Sequence, residues 1–563
     1  MFPNMQIIPR CRNCKDVLHF SKLLPRFGKQ PGRASGLFFA CLMILAASLC
    51  GCTSFKEYIQ NGFKVGPNYC QPPAPVAQEW IDANDKRVRS DADDLSKWWT
   101  VFNDPGLDAL ICCAYRQNLT LREAGCRVLE ARAQLGITTG QIFPQSQTFT
   151  GSYSRNAASR EVVSGQGIVK PFFDQWNYGF NLNWELDFWG RFRRAIESDT
   201  ANLNASVEGY DDVLVTLLGD VATNYVEMRT YEGRIEFALA NVRLQRETLT
   251  ITEARFRGGT TSELDVYQAR STLEQTEAQI PELEISLRQT INQLCILLGM
   301  PPEELQSRLG PAPIPTTPPE VAIGIPADLL RRRPDVRRAE RLAAAQCALI
   351  GVAQSDFYPA ISINGTLGYS AERFPDLFRS SALNGNVGPS FQWNVLNYGR
   401  ILNNVRFQDA KFQELVAAYQ QTVLSANQEV ENGLVTFLKA QRRTMLQTAS
   451  VNDAEKAVTI VLAQYKAGAI DFTRVSQLEQ TLVQQQDVLT QARGEIATGL
   501  IQVYKALGGG WQIRLNGCEP TALSPPDNPS PVLENVPAPI PEPATIPSQF
   551  PEKDLFPATI PVK

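Results

Sequence analysis

The sequence has almost no histidine, since His19 is the only one among 563 residues. That histidine lies in an N-terminal segment with the features of a cleaved signal, so the mature chain is expected to contain none. Catalytic triads, Cys–His nucleophiles and His-ligated zinc sites all need imidazole. We therefore expect no catalytic residues, no metal site and no enzyme activity.

An excess of charge of either sign is also missing, with 54 Lys and Arg against 58 Asp and Glu. Nucleic-acid-binding proteins usually present a basic face, so no nucleic-acid partner is expected. The cysteines that follow Cys52 contain no Cys-x-x-Cys pair, and they stand at positions 70, 112, 113, 126, 295, 347 and 518. Their odd number leaves at least one unpaired, and most are interpreted as small apolar residues of the interior.

The N-terminus carries a targeting signal. Residues 1–35 are basic, and residues 36–48 are thirteen apolar or small residues. This combination is typical of a secretory signal and is too short to span a bilayer. The closing Leu49-Cys50-Gly51-Cys52 resembles a bacterial lipobox, which implies cleavage before Cys52, a covalent lipid on its thiol and no other cofactor. By the same resemblance, Thr53 in place of aspartate favours the outer membrane.

Proline is absent from residues 172–280 and 390–519 and crowded in residues 301–326 and 520–561. Because proline is excluded from helix interiors, the chain is expected to alternate long helices with Pro-rich connectors. The tail, residues 512–563, is predicted to be disordered, because it has too little apolar surface to bury.

An internal repeat links the two halves of the chain at a constant offset of 209 residues. The matched pairs are Trp184 and Trp393, Gly190-Arg191 and Gly399-Arg400, Phe256 and Tyr465, Gly259 and Gly468, and Leu298-Gly299 and Leu507-Gly508. Such a period is too long for a solenoid unit. It predicts that a half-protein has been duplicated.

Each half is predicted to contain a helix, a β-hairpin, a long helix and a shorter helix, in that order. In the first repeat, residues 106–300, these elements are expected at about 107–140, 145–188, 191–257 and 262–298. In the second, residues 327–511, they are expected at 335–356, 360–396, 400–466 and 471–507. The remaining segments are a signal peptide (1–51), an N-terminal segment (52–105), a connector (301–326) and the tail. A helix of 67 residues is about 100 Å long and needs partners along its length, as in a coiled coil.

The hairpins contain strands in which apolar and polar residues alternate, at 176–188, 361–370 and 387–395, with a weaker fourth strand at 145–154. A tilted transmembrane strand needs about 9–11 residues. The predicted membrane-facing side chains are Trp176, Tyr178, Phe180, Leu182, Trp184, Leu186, Ile361, Ile363, Leu367, Tyr369, Phe391 and Trp393. Alternation alone also fits a half-buried sheet on a soluble domain. Four strands cannot close a barrel in lipid, so a transmembrane sheet would require oligomerisation.

With these features, the sequence resembles the TolC-type outer-membrane efflux ducts, in particular their NodT-like lipoprotein branch. The motifs that carry the resemblance are Val65-Gly66-Pro67-Asn68-Tyr69, Trp98-Trp99 followed by Phe102-Asn103-Asp104-Pro105, Trp184-Glu185-Leu186-Asp187-Phe188-Trp189-Gly190-Arg191, Ser262-Glu263-Leu264-Asp265-Val266, Leu329-Leu330-Arg331-Arg332-Arg333-Pro334-Asp335-Val336, and Ala506-Leu507-Gly508-Gly509-Gly510-Trp511. They cover nearly the whole mature chain.

The resemblance implies an α+β membrane protein that forms a homotrimer, with four strands per chain in a 12-stranded transmembrane β-barrel. A periplasmic α-helical coiled-coil barrel continues from it and carries a mixed α/β equatorial belt. The implied function is a passive exit duct in the outer membrane. Its implied partners are outer-membrane lipid, a periplasmic adaptor, and an inner-membrane pump of the resistance–nodulation–division (RND) type.

The turns between helices at 256–265 and 465–474 are implied to lie where such ducts close and meet the adaptor. We predict a gate formed by Asp265, Asp471, Arg474 and Tyr465, whose charges could be separated when the helices move. Solvated helix ends are the alternative interpretation. The turn residues Gly258, Gly259 and Gly468 are assigned to tight turns and adaptor docking.

Two other functions remain open. The first is a duct of the same fold for type I protein secretion, although the lipobox favours a pump partner. The second, of a different class, is a structural lipoprotein spacer, which predicts neither transmembrane strands nor conductance.

Overall fold

The computed structural model describes residues 55–89, 91, 94–157 and 172–518. The predicted signal, the lipobox cysteine Cys52 and the tail beyond residue 518 lie outside these ranges. The chain divides into two compact units. The sheet unit contains the chain up to residue 74 together with 128–206 and 338–420, and the helical unit contains 75–127, 207–337 and the chain from 421.

A four-stranded antiparallel sheet dominates the sheet unit. Its strands are β2 (Ser146–Ala157), β3 (Phe172–Leu186), β5 (Ala360–Ala371) and β6 (Leu383–Gln392). They lie side by side in the order β2-β3-β5-β6. Within the described residues, β2 and β6 each pair on one side only. The sheet therefore has two open edges. A separate pair of two-residue strands, β1 (Val88–Arg89) and β4 (Val321–Ala322), runs parallel in the helical unit.

The register of the sheet places the predicted apolar residues on one face. Tyr178 pairs with Tyr369, Phe180 with Leu367, and the pattern continues to Leu186 and Ile361. Residues that are directly opposite each other point to the same side of a sheet. The other face carries Asn, Ser and Thr, as in the pairs Asn177–Ser370, Asn181–Thr366 and Asn183–Asn364.

Several predicted strand limits were wrong. The strand predicted at 176–188 begins at Phe172 and ends at Leu186, and the weak fourth strand extends to Ala157. The strand predicted at 387–395 ends at Gln392, so Trp393 lies beyond it. Its indole Nε1 donates to the carbonyl oxygen of Phe357 at 2.9 Å, in the turn that precedes β5.

Two long helices, Arg191–Arg257 and Arg400–Lys466, each contain 67 residues and have the predicted bounds. The shorter helices Glu263–Leu297 and Phe472–Ala506 each contain 35 residues and follow them. In both pairs, the counterparts begin and end 209 positions apart. Among the described residues, no helix is both long and apolar enough to cross a membrane.

The single helix predicted at 107–140 is in fact two, Pro105–Gln117 and Leu119–Gly140. Asn118 takes an extended conformation between them, which interrupts the helical hydrogen bonding. Its amide Nδ2 donates to the carbonyl of Leu297 at 2.8 Å, and its Oδ1 accepts from the backbone N–H of Leu121 at 2.8 Å. The second half has one helix here, Pro334–Ser355.

The predicted disorder of the tail was wrong for its first residues. Residues 513–516 form a short helix, and Cys518 is held by a disulfide bond to Cys112. In the N-terminal segment, Phe55–Gln60 is helical. The connector contains the short helix Gln306–Leu309 as well as β4.

Candidate gate and supporting contacts in the helical unit

The two turns between helices have the same local geometry. Gly259 and Gly468 have φ angles of +71° and +77°, a region that favours glycine because it has no Cβ. Each donates its N–H to the carbonyl three residues earlier, of Phe256 and Tyr465 respectively, at 2.9 Å. Gly258 does not share the positive φ. Gly258 lies in the turn as predicted, but its backbone conformation there does not require glycine, and its role in adaptor docking stays a prediction.

Asp265 caps the helix that begins at Glu263. Its carboxylate accepts from the backbone N–H of Ser262 at 3.3 Å and from the hydroxyl of Thr261, while its own N–H donates to Ser262 Oγ at 3.3 Å. This reciprocal arrangement is a capping box. The contacts of Asp265 are thus local to its own turn.

Tyr465 is the last residue but one of its long helix, and it is buried, with 1% of its surface exposed. Its ring packs edge-on against Phe472 at 5.6 Å between centroids, and the Arg255 guanidinium lies 4.5 Å from the ring centre. Arg255 also donates to the carbonyl oxygen of Tyr465. Tyr465 therefore joins the two long helices from inside.

Asp471 and Arg474 are exposed, and neither forms an ion pair among the described residues. Asp471 and Arg474 share one turn, where the N–H of Arg474 donates to the carbonyl oxygen of Asp471 at 3.3 Å. Within the described part of one chain, no side-chain hydrogen bond or ion pair links either residue to Asp265. Their function as gate residues stays a prediction that depends on contacts with other molecules.

A row of buried polar groups, which was not predicted from the sequence, lies between the helices Arg191–Arg257 and Phe472–Ala506. Glu479 is 2% exposed, and its carboxyl accepts from the hydroxyl of Thr248 at 2.7 Å. Burial raises the pKa of Glu479 to about 7. Two turns further along, the side chain of Gln486 accepts from Asn241 at 2.7 Å and donates to Glu455 at 3.0 Å.

The spacing of these residues along the sequence could have predicted their burial. Val475, Leu482 and Leu489 recur every seven residues, and Glu479 and Gln486 stand four residues after the first two. That alternation of four and three residues marks the interior seam of a coiled coil. Polar residues at such positions are expected to be buried.

The arginine run 331–333 contributes one buried side chain, that of Arg333. Arg333 donates to Asp335 at 3.0 and 2.7 Å and to the carbonyl oxygen of Ala506 at 2.7 Å, and it pairs with Glu429 at 2.7 Å. These contacts connect three helices of the helical unit. The guanidinium of Arg333 therefore has a structural role.

The Cys112–Cys518 disulfide was also missed, because pairing across 406 residues has no local sequence signal. Cys518 follows the short helix at residues 513–516. Arg514 of that helix donates to the fully buried Asp211 at 2.7 and 3.1 Å. Among the other cysteines, Cys295 and Cys347 are buried as predicted, whereas Cys126 is exposed. The described residues contain no cluster able to hold a metal ion.

Comparison with known proteins identifies the family. Residues 110–300 and 325–509 match the family of outer membrane efflux proteins. The chain belongs to this family. Nodulation protein T of Rhizobium leguminosarum bv. trifolii is 29% identical over 82% of this chain and 97% of its own length. The solvent efflux pump outer membrane protein SrpC of Pseudomonas putida is 30% identical over 82% and 98%.

Among solved structures, the outer-membrane channel OprN matches with a TM-score of 0.75 and 32% identity, over 80% of this chain and 99% of its own. The resemblance to the NodT-like efflux ducts is confirmed. The protein is an outer-membrane efflux channel, and its predicted location is confirmed with its function. The family is one of transport ducts, and membership of it contradicts the spacer hypothesis.

Proposed function

We propose that three copies of this chain form one exit duct. Each chain contributes its sheet to a 12-stranded transmembrane barrel and its long helices to a periplasmic α-helical barrel. The duct would passively conduct small molecules delivered by an inner-membrane RND-type pump and a periplasmic adaptor. A lipid on Cys52 would add a second attachment to the outer membrane.

The open four-stranded sheet is the observation that carries this proposal. One face is apolar from Trp176 to Leu186, and the outer edges of β2 and β6 have no partner among the described residues. In hydrocarbon, each unpaired backbone group would cost several kcal/mol. Pairing β6 of one copy with β2 of the next removes both edges when the ring closes. Three copies give twelve strands, which exceeds the lower limit of about eight for a membrane barrel.

The matched lengths of the helices support the duplication that this architecture needs. Since both long helices contain 67 residues and both shorter helices 35, the two halves can occupy equivalent positions around a lumen. We infer that the exposed Asp471 and Arg474 meet neighbouring copies at the narrow end. The turns around Gly259 and Gly468 would then be available to the adaptor.

Two measurements on the purified protein test the proposal. The mass of the detergent-extracted particle, corrected for bound detergent, should equal three chains, and the reconstituted protein should give discrete conductance steps in planar bilayers. A monomer, or a trimer without conductance, would refute it. Growth tests on pump substrates separate a pump partner from the type I secretion alternative. A strain that lacks the gene for this chain should become as sensitive to those substrates as a strain that lacks the adaptor gene, whereas a duct for protein secretion should leave the sensitivity unchanged.

A further inference from the structure

An aromatic cluster lies beside the sheet, at the end where β3 stops and β5 begins. Tyr58 contacts Phe63, Phe188 and Trp189, with ring centroids 5.6, 6.5 and 5.7 Å apart. Trp189 stacks on Tyr358 at 4.5 Å. We call these five residues the aromatic cluster. They come from three separate parts of the sheet unit.

Hydrogen bonds fix the N-terminal segment against the sheet. The hydroxyl of Tyr58 donates to the carbonyl oxygen of Phe188 at 2.7 Å. The backbone N–H of Val65 donates to the carbonyl oxygen of Trp189 at 3.0 Å. The Trp189 indole donates to the carbonyl of Pro359, directly before β5, at 2.8 Å. The polar atoms of Tyr58 and Trp189 are therefore satisfied internally.

Arg193 holds Phe63 in place. Its guanidinium donates to the carbonyl oxygens of Gly62 at 2.8 Å and Phe63 at 2.7 Å, and it pairs with Asp187 at 2.8 Å. Phe63 has a φ of +59°, which a non-glycine residue rarely adopts. The structure thus maintains a strained backbone that presents this ring outward.

The outer surface of the cluster is apolar and uncovered in one chain. Phe63 is 54% exposed and Phe188 51%, and Ile59 lies next to Tyr58 in the helix Phe55–Gln60 with 46% exposed. Large rings held rigidly on a surface mark an interaction site more often than scattered apolar residues do.

Two features point to lipid as the partner of this surface. The apolar face of β3 ends at Leu186, two residues before Phe188, so the cluster continues an interface that already faces the membrane. Cys52 precedes the described Phe55 by three residues, which span at most about 11 Å. An acyl chain on Cys52 can enter the bilayer only if Phe55–Gln60 lies close to its surface.

We propose that the aromatic cluster, with Ile59, inserts into the headgroup region of the periplasmic leaflet and holds the N-terminal segment on the membrane. Trp and Tyr are enriched at this depth, where their rings lie at the level of the headgroups. This inference rests on the proposed function, because it takes the sheet as the transmembrane element. A second copy of the chain is the competing occupant.

A photoactivatable phospholipid with a diazirine at the glycerol level tests the proposal. The full-length protein is reconstituted with this lipid, irradiated and digested, and the peptides are analysed by mass spectrometry. Lipid adducts are expected on the peptides that contain Phe63 and Phe188. The peptide with Tyr267, an aromatic residue 58% exposed at the helix tip, serves as the unlabelled control.

Two variants sharpen the test. Phe63→Ser with Phe188→Ser should lose labelling of the N-terminal segment, whereas Phe63→Leu, which remains apolar, should keep it. Labelled strands without labelled cluster peptides would overturn this inference alone and would favour a second chain as the occupant of this surface. Unlabelled strands would refute the proposed membrane insertion itself, and this inference with it.

Discussion

The Cys112–Cys518 disulfide should contribute substantially to the stability of the helical unit. The bond closes a loop of 406 residues and fixes the end of the described chain to the helix Pro105–Gln117. Loop-closure entropy for this length corresponds to about 6 kcal/mol at 25 °C, but measured disulfide contributions are typically about 2–4 kcal/mol. We expect the Cys112→Ser, Cys518→Ser double variant to lose about 3 kcal/mol.

The expected change in unfolding temperature follows from the size of the unit. With roughly 280 residues and about 2.1 cal/mol/K of unfolding entropy per residue, 3 kcal/mol corresponds to a decrease of about 5 °C. Circular dichroism at 222 nm measures this change on the detergent-solubilised protein. Cys113→Ser, which removes the adjacent free thiol, is the matched control and should unfold at the wild-type temperature.

Chemical mapping provides an independent check. Alkylation of the unfolded, non-reduced protein should leave residues 112 and 518 unmodified and should label residues 113 and 126. Equal unfolding temperatures for the double variant and the wild type would refute the stabilising role. Alkylation of Cys112 and Cys518 without reductant would refute the bond itself.

Three further predictions concern the charged groups. Because the folded chain keeps Glu479 protonated up to pH of about 7, whereas the unfolded carboxyl ionises above about 4.5, stability should fall by about 3 kcal/mol as the pH rises through this range. The Glu479→Gln variant should largely lose this slope in unfolding experiments between pH 5 and 8, and an unchanged slope would contradict the assignment. Asp265→Ala combined with Arg474→Ala should raise single-channel conductance in planar bilayers, and wild-type conductance in a correctly assembled double variant would remove both residues from the gate. Arg514→Leu should cost about 3–5 kcal/mol because it leaves Asp211 buried without its main partner. Adding Asp211→Asn should restore part of that loss, and no recovery would show that the charge is not the cause.

The sequence alone predicted the features that depend on local periodicity. The long helices were located correctly because proline is absent over many turns. Their C-terminal ends lie next to Gly259 and Gly468, which the turns require. Three of the four strands followed from alternation of apolar and polar residues. The spacing of Ser262 and Asp265 also fits a capping box, but this signal was not used and Asp265 was assigned to the gate.

Only the tertiary structure decided with which distant groups the buried side chains pair. The heptad spacing marks Glu479 as an interior position, but its hydrogen bond to Thr248 and its raised pKa depend on the helix that covers it. Cys112 meets Cys518, and Arg514 meets Asp211, across more than 300 residues. Periodicity determines which face of an element is apolar. The partner of that face depends on packing, and the pKa of a buried group and the bonds between remote residues depend on it too.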